Sequence, residues 1–580
     1  MTKWKTAYEQ WLNFDELDES LKKELEQIKN RPDVLEDAFY QDLSFGTGGM
    51  RGIIGPGTNR MNIYTIRKAV NGLANYILSN CVNVKDRGVV VSYDTRYMSR
   101  EFAVEAAKVL GSYDIKTHIF QDVRPTPLLS FAVRYLGTAA GIMITASHNP
   151  PEYNGFKVYN EDGGQMVPDE ADQVIAAVQE INDPFLIPVV AKEELEEKGL
   201  ITWLGADIDN AYLEQLSQIS KLDTDTYWKD KDMGIVFTPL HGTSEKLVME
   251  GLKQLNFTNV HLVTEQATPD PEFSTVSSPN PEEHQAFERA IKLGMTTNAH
   301  ILLATDPDSD RLGVAVYDHE IDEYKVLSGN QLGILLLDYI LTHMDASIYK
   351  NARLLKSIVT TEMGRTVAHF YGVQTIDTLT GFKYIGEKIH QFDTTGETFI
   401  FGFEESYGYL ISSFARDKDA VQAAVMACEM AYYWKRKGMS LLEALDLLYE
   451  QHGYYQEGMT SITLEGIEGS EKIAQMMATH RDQKPTSIGG LRVEKVEDYL
   501  ESQRVNVLTD ECESIDLPKE NVLKFLLEND SWVCLRPSGT EPKIKCYYGV
   551  REDSAEAGHH RLQTLKEDME NRLQAIVDSK

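Results

Sequence analysis

The stretch Thr145-Ala146-Ser147-His148-Asn149-Pro150 follows a run of small and β-branched residues, 141–145, that reads as a buried strand. Pro150 and Pro151 lack an amide donor and push the preceding residue out of helical geometry, so the strand cannot run straight into a helix. The Ser147 hydroxyl is thereby displayed on a rigid loop at a strand end, where open α/β sheets build their sites. Taken alone, a Ser-His pair would pass for a polar turn. A second loop argues otherwise: Asp306-Pro307-Asp308-Ser309-Asp310-Arg311 directly follows the apolar strand candidate 301–304. Three carboxylates at alternating positions of an extended or turning loop can face one cation, and hard oxygen ligands suit Mg²⁺ or Ca²⁺ rather than zinc. An EF-hand is excluded, because the sixth position is Arg311 instead of glycine and the twelfth is Tyr317 instead of glutamate. Mg²⁺ held by three carboxylates keeps positions open for phosphate oxygens, and a phosphoryl group on Ser147 would fill one. The two loops together point to a phosphoserine polarised by a metal.

Three further loops handle anions or hydroxyls. Arg536-Pro537-Ser538-Gly539-Thr540-Glu541-Pro542-Lys543-Ile544-Lys545 combines an arginine, two hydroxyls, a glycine and backbone amides, many donors for a phosphate dianion. It lacks the GxxxxGK[ST] spacing of a Walker loop. Phe401-Gly402-Phe403-Glu404-Glu405-Ser406-Tyr407-Gly408 puts Glu404 and Ser406 on one side of a short extended piece, suited to vicinal sugar hydroxyls, although a plain surface turn explains it equally well. Phe45-Gly46-Thr47-Gly48-Gly49-Met50-Arg51-Gly52 is glycine-rich and ends near Arg51, a candidate anion contact.

The chain of 580 residues carries a formal net charge of −33, which disfavours nucleic acid and anionic membrane as partners. A negatively charged substrate then needs a local concentration of Arg and Lys. Five cysteines without a CxxC pair argue for a reducing compartment and against a disulfide framework or zinc site. No apolar signal segment opens the chain, and the most apolar internal run, 332–337, is too short to span a bilayer. The expectation is a soluble, cytoplasmic protein.

The elements that must position these loops alternate. Strands are expected at 88–92, 141–145, 233–237, 301–304, 354–360 and 531–535, and helices at 100–110, 169–181, 282–293, 421–436 and 554–577. Such alternation predicts mixed or parallel sheets flanked by helices. Trp4, Tyr8, Trp11 and Leu12 form a helical stripe read as packing. Polar stretches near 193–198, 317–324 and 453–458 are read as seams, and the functional loops recur about once per presumed domain, each at a strand end.

The five loops resemble, in order, the signature set of the α-D-phosphohexomutase family, over most of the chain from Phe45 to Lys545. They look most like its long subgroup of α-phosphoglucomutases and phosphopentomutases. Asn154-Gly155-Phe156-Lys157, Thr238-Pro239-Leu240-His241-Gly242-Thr243, Thr380-Gly381-Phe382-Lys383 and Arg416-Asp417-Lys418-Asp419 add to the likeness. The resemblance implies an α/β fold of four domains around a central cleft. Three related mixed α/β domains (1–205 with the phosphoserine loop, 206–322 with the metal loop, 323–455 with the sugar loop) precede a C-terminal α+β domain (456–580) with the phosphate loop.

It also implies site residues. Ser147 would be phosphorylated, with Asp306, Asp308 and Asp310 as ligands of one Mg²⁺. Glu404 and Ser406 would read the sugar, and Arg536, Ser538, Gly539 and Thr540 would hold the phosphate that does not react. Arg51, Arg311 and Lys545 are counted with the substrate-binding residues. Lys157 is the first candidate for proton shuttle, Lys383 the second, and His148 an electrostatic partner of the phosphoserine. Where mannose-type members end the sugar loop in Ser-Gly-His, this chain has Ser406-Tyr407-Gly408, which argues against dual specificity for mannose. The implied activity interconverts glucose 1-phosphate and glucose 6-phosphate through a bound glucose 1,6-bisphosphate, by a monomer or weak homo-oligomer acting on small sugar phosphates. A phosphopentomutase is the alternative within the class. A phosphatase of the haloacid-dehalogenase kind is disfavoured because Asp310 stands where DxDx[TV] needs Thr or Val. Intact Ser147, aspartates and Arg536 disfavour a catalytically silent sensor.

Overall fold

The structure, a computed structural model, describes residues 3–45, 49–222, 231–464, 466–538 and 542–579. It forms two compact units: Met1–Ser328 with Phe382–Phe399 and Ser406–Tyr433, and Gly329–Gly381 with Ile400–Glu405 and Trp434–Lys580.

The first unit holds two sheets built on one plan. In the first, Thr117–Phe120, Val89–Tyr93 and Ala140–Ile144 run parallel, with Ile201–Leu204 parallel on one edge. The chain then reverses, and Tyr153–Tyr159 and Met50–Ile53 continue the sheet antiparallel. The second sheet repeats this with Val260–Leu262, Ile235–Thr238 and Ile301–Thr305 in parallel, then Leu312–Asp318 and Glu323–Val326 antiparallel. Val89–Tyr93, Ala140–Ile144 and Ile301–Thr305 are buried at every residue, as apolar parallel strands covered by helices on both faces must be.

In the second unit, Ala352–Ser357 and Gln374–Thr378 pair in parallel, and Thr398–Glu404 lies on the other side of Ala352–Ser357. Its last part is an antiparallel sheet in which Tyr454–Thr463, Lys543–Glu552, Trp532–Pro537, Leu523–Leu527 and Leu491–Asp498 are successive neighbours. One face packs on the helices Gly466–Asp482 and Ala555–Asp578 through Val493, Phe525, Val533, Leu565 and Met569. Among the described residues, no helix is long and apolar enough to cross a membrane.

Three expectations change. The helix expected at 282–293 starts late, as a 3₁₀ turn His284–Phe287 followed by the helix Glu288–Thr297. Pro281 and a turn from Asn280 to Glu283 hold 280–283 outside the helix. The strand expected at 354–360 ends at Ser357, where the Ser357 and Thr360 hydroxyls hydrogen-bond and the backbone turns. The polar stretch 317–324, read as a seam, is the tip of the hairpin between Leu312–Asp318 and Glu323–Val326. Polar residues mark chain reversals as well as boundaries, and only strand pairing separates the two.

The aromatic stripe on the first helix, Lys3–Leu12, is packing, but Leu12 faces solvent. Trp11 is buried against Phe39 and Tyr64 with ring centroids 5.7 and 5.4 Å away. Deleting a buried indole costs about 3–5 kcal/mol. Trp11→Ala is therefore expected to detach the N-terminal helices in an early, separate calorimetric transition, whereas a single unshifted transition would show that this cluster holds nothing.

Candidate active site

The Ser147 loop joins the last parallel strand, Ala140–Ile144, to the reversing strand Tyr153–Tyr159. Ser147 has a φ of 52°, a left-handed conformation that costs a non-glycine residue about 1–3 kcal/mol unless its surroundings enforce it. They do. The Ser147 amide donates to Thr145 Oγ1 at 2.8 Å. The Arg96 guanidinium donates to the carbonyls of Ser147 (2.6 Å), Pro150 (2.8 Å), Tyr153 (3.0 Å) and Asn149. Arg96 follows the adjacent strand Val89–Tyr93 and is held by Asp94, whose Oδ1 accepts from the Arg96 amide at 3.0 Å. Sequence reading missed Arg96. The available signal was the charged Asp94-Thr95-Arg96 at the end of an apolar strand.

The Ser147 hydroxyl is buried rather than displayed, and it donates to Asp306 Oδ2 at 2.8 Å. The metal loop covers it. That loop turns through a left-handed Ser309 (φ 58°), and the ligand atoms of Asp306, Asp308 and Asp310 come within 4.8 Å of one another in a fully buried cluster. Asp306 Oδ1 accepts from the amides of Asp310 and Arg311, both at 3.0 Å. Asp308 Oδ2 accepts from Thr126 Oγ1 at 2.9 Å and Lys157 Nζ at 2.7 Å. Asp310 Oδ2 faces Lys157 Nζ at 3.3 Å and Lys418 Nζ at 3.1 Å. Asp306 thus has both oxygens anchored, and Asp308 and Asp310 one each. The Oδ1 atoms of Asp308 and Asp310 are buried without a hydrogen-bond partner. Hard, buried and partly unpartnered oxygens of this kind fit an oxygen-seeking divalent cation such as Mg²⁺.

The charges divide unevenly. Burial, then the neighbouring Asp310 and Asp308, raises Asp306 well above the usual carboxylate range. Burial works the same way on Asp310, but the Lys418, Lys157 and Arg311 cations outweigh it and hold this carboxyl far below that range. Burial would lower Lys157, yet Asp308 and Asp310 more than restore it and keep the ammonium charged. His148, with Nδ1 3.2 Å from Ser147 Oγ, is pushed down to about 3 by burial, then by Arg311 and Arg51.

The metal loop is propped from outside. Thr243 Oγ1 donates to the Pro307 carbonyl at 3.0 Å, and a β-carbon on Gly242 would lie 2.6 Å from Pro307 Cα. The motif 238–243 is therefore a buttress, and its glycine is required by that approach. Arg311 pairs with Glu282, which explains why Glu282 is drawn away from the expected helix. Glu282 escaped sequence reading, since it carries no local pattern of its own, and Lys418 was noted only as part of the motif 416–419, without a role.

The remaining candidates are placed as follows. Arg51, on Met50–Ile53, donates to Asn149 Oδ1 at 3.3 Å. Gly46, Thr47 and Gly48 of its loop lie outside the described residues. Lys383, buried at the start of Phe382–Thr395, lies 5.1 Å over the Tyr384 ring. The sugar loop is extended only through Glu404; 405–407 turn, and Tyr407 is left-handed with a φ of 65°. In the second unit, Glu404 is buried and its Oε1 accepts from the Gly381 amide at 2.7 Å. Ser406 stands in the turn of the first unit. Arg536 Nε lies 3.3 Å from Glu520 Oε1, and Arg536 faces Lys545 across the hairpin. The Ser538 amide donates to the Lys543 carbonyl at 2.7 Å, while Gly539 and Thr540 lie outside the described residues. A second acidic cluster, Asp162, His390 and Asp393, is threaded by Arg416 at 3.1 and 2.6 Å from the two aspartates, so it is an ion-pair network.

Four sequence profiles of one family match the chain in succession. They are the phosphoglucomutase/phosphomannomutase alpha/beta/alpha domains I (42–184), II (210–319) and III (328–452) and the C-terminal domain (489–565). A protein named phosphoglucomutase from Staphylococcus aureus (strain bovine RF122 / ET3-1) is 40% identical over 515 residues, 89% of this chain and 91% of that one. Another of that name from Staphylococcus epidermidis is 39% identical over 539 residues, 93% and 96% of the two chains. The crystal structure of a putative phosphomannomutase from Thermus thermophilus superposes with a TM-score of 0.67 at 22% identity, covering 92% of this chain and 99% of that one. At that identity the last likeness speaks for the fold.

The arginine clamp yields a prediction that needs no assay of turnover. Arg96→Met is expected to raise amide exchange at 147–149 about tenfold or more, because four carbonyl anchors are lost, while Ala140–Ile144 stays protected. Unchanged exchange at 147–149, read by mass spectrometry, would show that the prolines alone hold the loop.

Proposed function

The chain belongs to the phosphoglucomutase/phosphomannomutase family, and from that premise we propose that it interconverts α-D-glucose 1-phosphate and glucose 6-phosphate through a phosphorylated Ser147. The observation that carries this reading is the Ser147 hydroxyl buried 2.8 Å from Asp306, beside a triad with two buried oxygens that accept no hydrogen bond. Relatives named phosphoglucomutase over about nine-tenths of both chains favour glucose over pentose phosphates.

Asp306, Asp308, Asp310 and the phosphoryl of Ser147 would hold one Mg²⁺. When bound, the ion supplies a Lewis acid that offsets charge on the transferring group. The chain's own residues do the rest. The P–Oγ bond of phosphoserine 147 breaks as a substrate hydroxyl forms its own bond to phosphorus, giving a bound glucose 1,6-bisphosphate. The intermediate turns, and its other phosphoryl returns to Ser147. Lys157, kept charged by its carboxylates, is suited to neutralising the transferring phosphoryl. As proton shuttle Lys157 stands first and Lys383 second, and either would need a lowered pKa to take the proton leaving the substrate hydroxyl. Arg96 keeps the serine in its left-handed conformation, and Arg51 and Arg311 add positive charge near it.

Glu404 and Ser406 are assigned to sugar hydroxyls, and the Arg536 loop with Ser538, Gly539, Thr540 and Lys545 to the phosphate that is not transferred. Five unpaired cysteines agree with a cytoplasmic setting, and the protein is taken to act as a monomer or weak homo-oligomer.

Intact-mass analysis of the purified protein should find one labile phosphate that maps to Ser147. Ser147→Ala should lose both this phosphate and all mutase turnover while remaining folded. In coupled assays, glucose 1-phosphate should be converted faster than ribose 1-phosphate. Near-normal activity of the alanine variant would end the phosphoserine reading, and a preference for ribose would move the enzyme to the pentose branch.

A phosphate site that serves both orientations of the bisphosphate must matter equally in both directions. Arg536→Ala removes charge-assisted hydrogen bonds worth about 1.5–3 kcal/mol each. The expected result is a loss of about tenfold or more in kcat/KM from either substrate, with phosphate still found on Ser147. A loss confined to one direction, in rates consistent with the overall equilibrium, would contradict a shared site.

A further inference from the structure

The segment that leaves the sugar loop returns to the metal loop, and one lysine touches both. The Lys418 ammonium stands 3.1 Å from Asp310 Oδ2, while Asp310 Oδ1 has no hydrogen bond and faces Arg311 Nε at 3.8 Å. Its stem lies across Gly408, where a β-carbon would come 2.3 Å from Lys418 Cδ and 2.8 Å from Cγ. The backbone follows the same course. The Leu312 amide donates to the Tyr407 carbonyl at 3.0 Å, and the Ala420 amide to the Ser309 carbonyl at 3.2 Å. A lysine ordinarily lays its stem on apolar surface and keeps its tip in water. Here the tip is spent on a buried carboxylate and the stem is trapped over a glycine. Any displacement of the stem must therefore move the charge.

We propose that Lys418 is a positioning residue that ties the sugar loop to the metal triad, so that the close packing on Gly408 determines how Asp310 is presented to a divalent cation. The inference rests on the triad being the Mg²⁺ site. An ammonium on the outer oxygen fixes the rotation of the carboxylate and offsets repulsion among three buried acids. Losing such an outer partner typically weakens metal binding about 10–100-fold.

A double-mutant cycle separates this role from general loosening. Mg²⁺ dissociation constants are measured by titration calorimetry on the full chain for wild type, Gly408→Ala, Lys418→Met and the double variant. Methionine keeps the stem and removes the charge. Gly408→Ala is expected to weaken Mg²⁺ binding about tenfold when Lys418 is present and less than twofold when it is methionine. Equal losses in both backgrounds, or none in either, overturn the proposal. A wild-type chain that binds no Mg²⁺ overturns the triad reading and this inference together, whereas wild-type binding with an additive cycle sinks only the role of Lys418. Should Gly408→Ala fail to fold, Lys418→Met is compared with Lys418→Ala by glucose 1-phosphate binding in chelator. Methionine should stay within twofold of wild type and alanine should weaken binding at least fivefold. Identical behaviour of the two variants overturns the proposal.

Discussion

Three carboxylates on one short loop, buried together, are the constraint on which the rest of the site depends. Isolated charges in a dry interior are strongly disfavoured, and three of one sign within 4.8 Å are worse. The chain answers with partners from the loop itself and from distant segments. The amides of Asp310 and Arg311 and the Ser147 hydroxyl hold Asp306, Thr126 and Lys157 hold Asp308, and Lys157 and Lys418 hold Asp310. On Asp308 and Asp310 these partners take one oxygen, and the other is left without a hydrogen bond. The cost of burying the acids becomes the means of orienting them.

The same constraint explains the placement of the serine. A hydroxyl on an ordinary surface turn would move and be solvated. Ser147 instead adopts a left-handed backbone, fixed by an arginine that gathers four carbonyls of its own loop, and its hydroxyl completes the hydrogen bonding of Asp306. Nucleophile and triad therefore stabilise each other, and neither loop is fully satisfied alone. A chain with net charge −33 can host an anionic substrate here because its cations are gathered where the acids require them.

Both loops arise from one architectural device. In each of the first two sheets, parallel strands ending in a fully buried one are followed by a reversal into an antiparallel strand, and the functional loop is that reversal. The Arg536 loop likewise connects two antiparallel strands, Trp532–Pro537 and Lys543–Glu552. A reversal has fixed ends set by strand register, so its few residues can hold unusual backbone angles without support from a helix. That is how loops as short as 306–311 can be rigid enough to bring three acids together.

Residues 145–150 and 306–311 announced themselves in the sequence because their chemistry is dense and local: hydroxyl, imidazole and prolines in one, three aspartates in the other, each behind an apolar run. The alternation of strands and helices, and hence the fold class, was legible for the same reason, since a period of two or of 3.6 is a property of neighbours in the chain. Arg96 and Glu282 were not legible, and Lys418 was legible only as a member of the motif 416–419, not in its role. Each is a single charged residue whose meaning comes from a loop tens to more than a hundred positions away. The tip of the hairpin at 317–324 and the late helix start after Pro281 were misread because polar residues mark several kinds of irregular backbone alike. Local patterning determined which residues could do chemistry. Only tertiary structure decided which cation meets which carboxylate, because that pairing is set by the registers of separate strands and leaves no trace in sequence spacing.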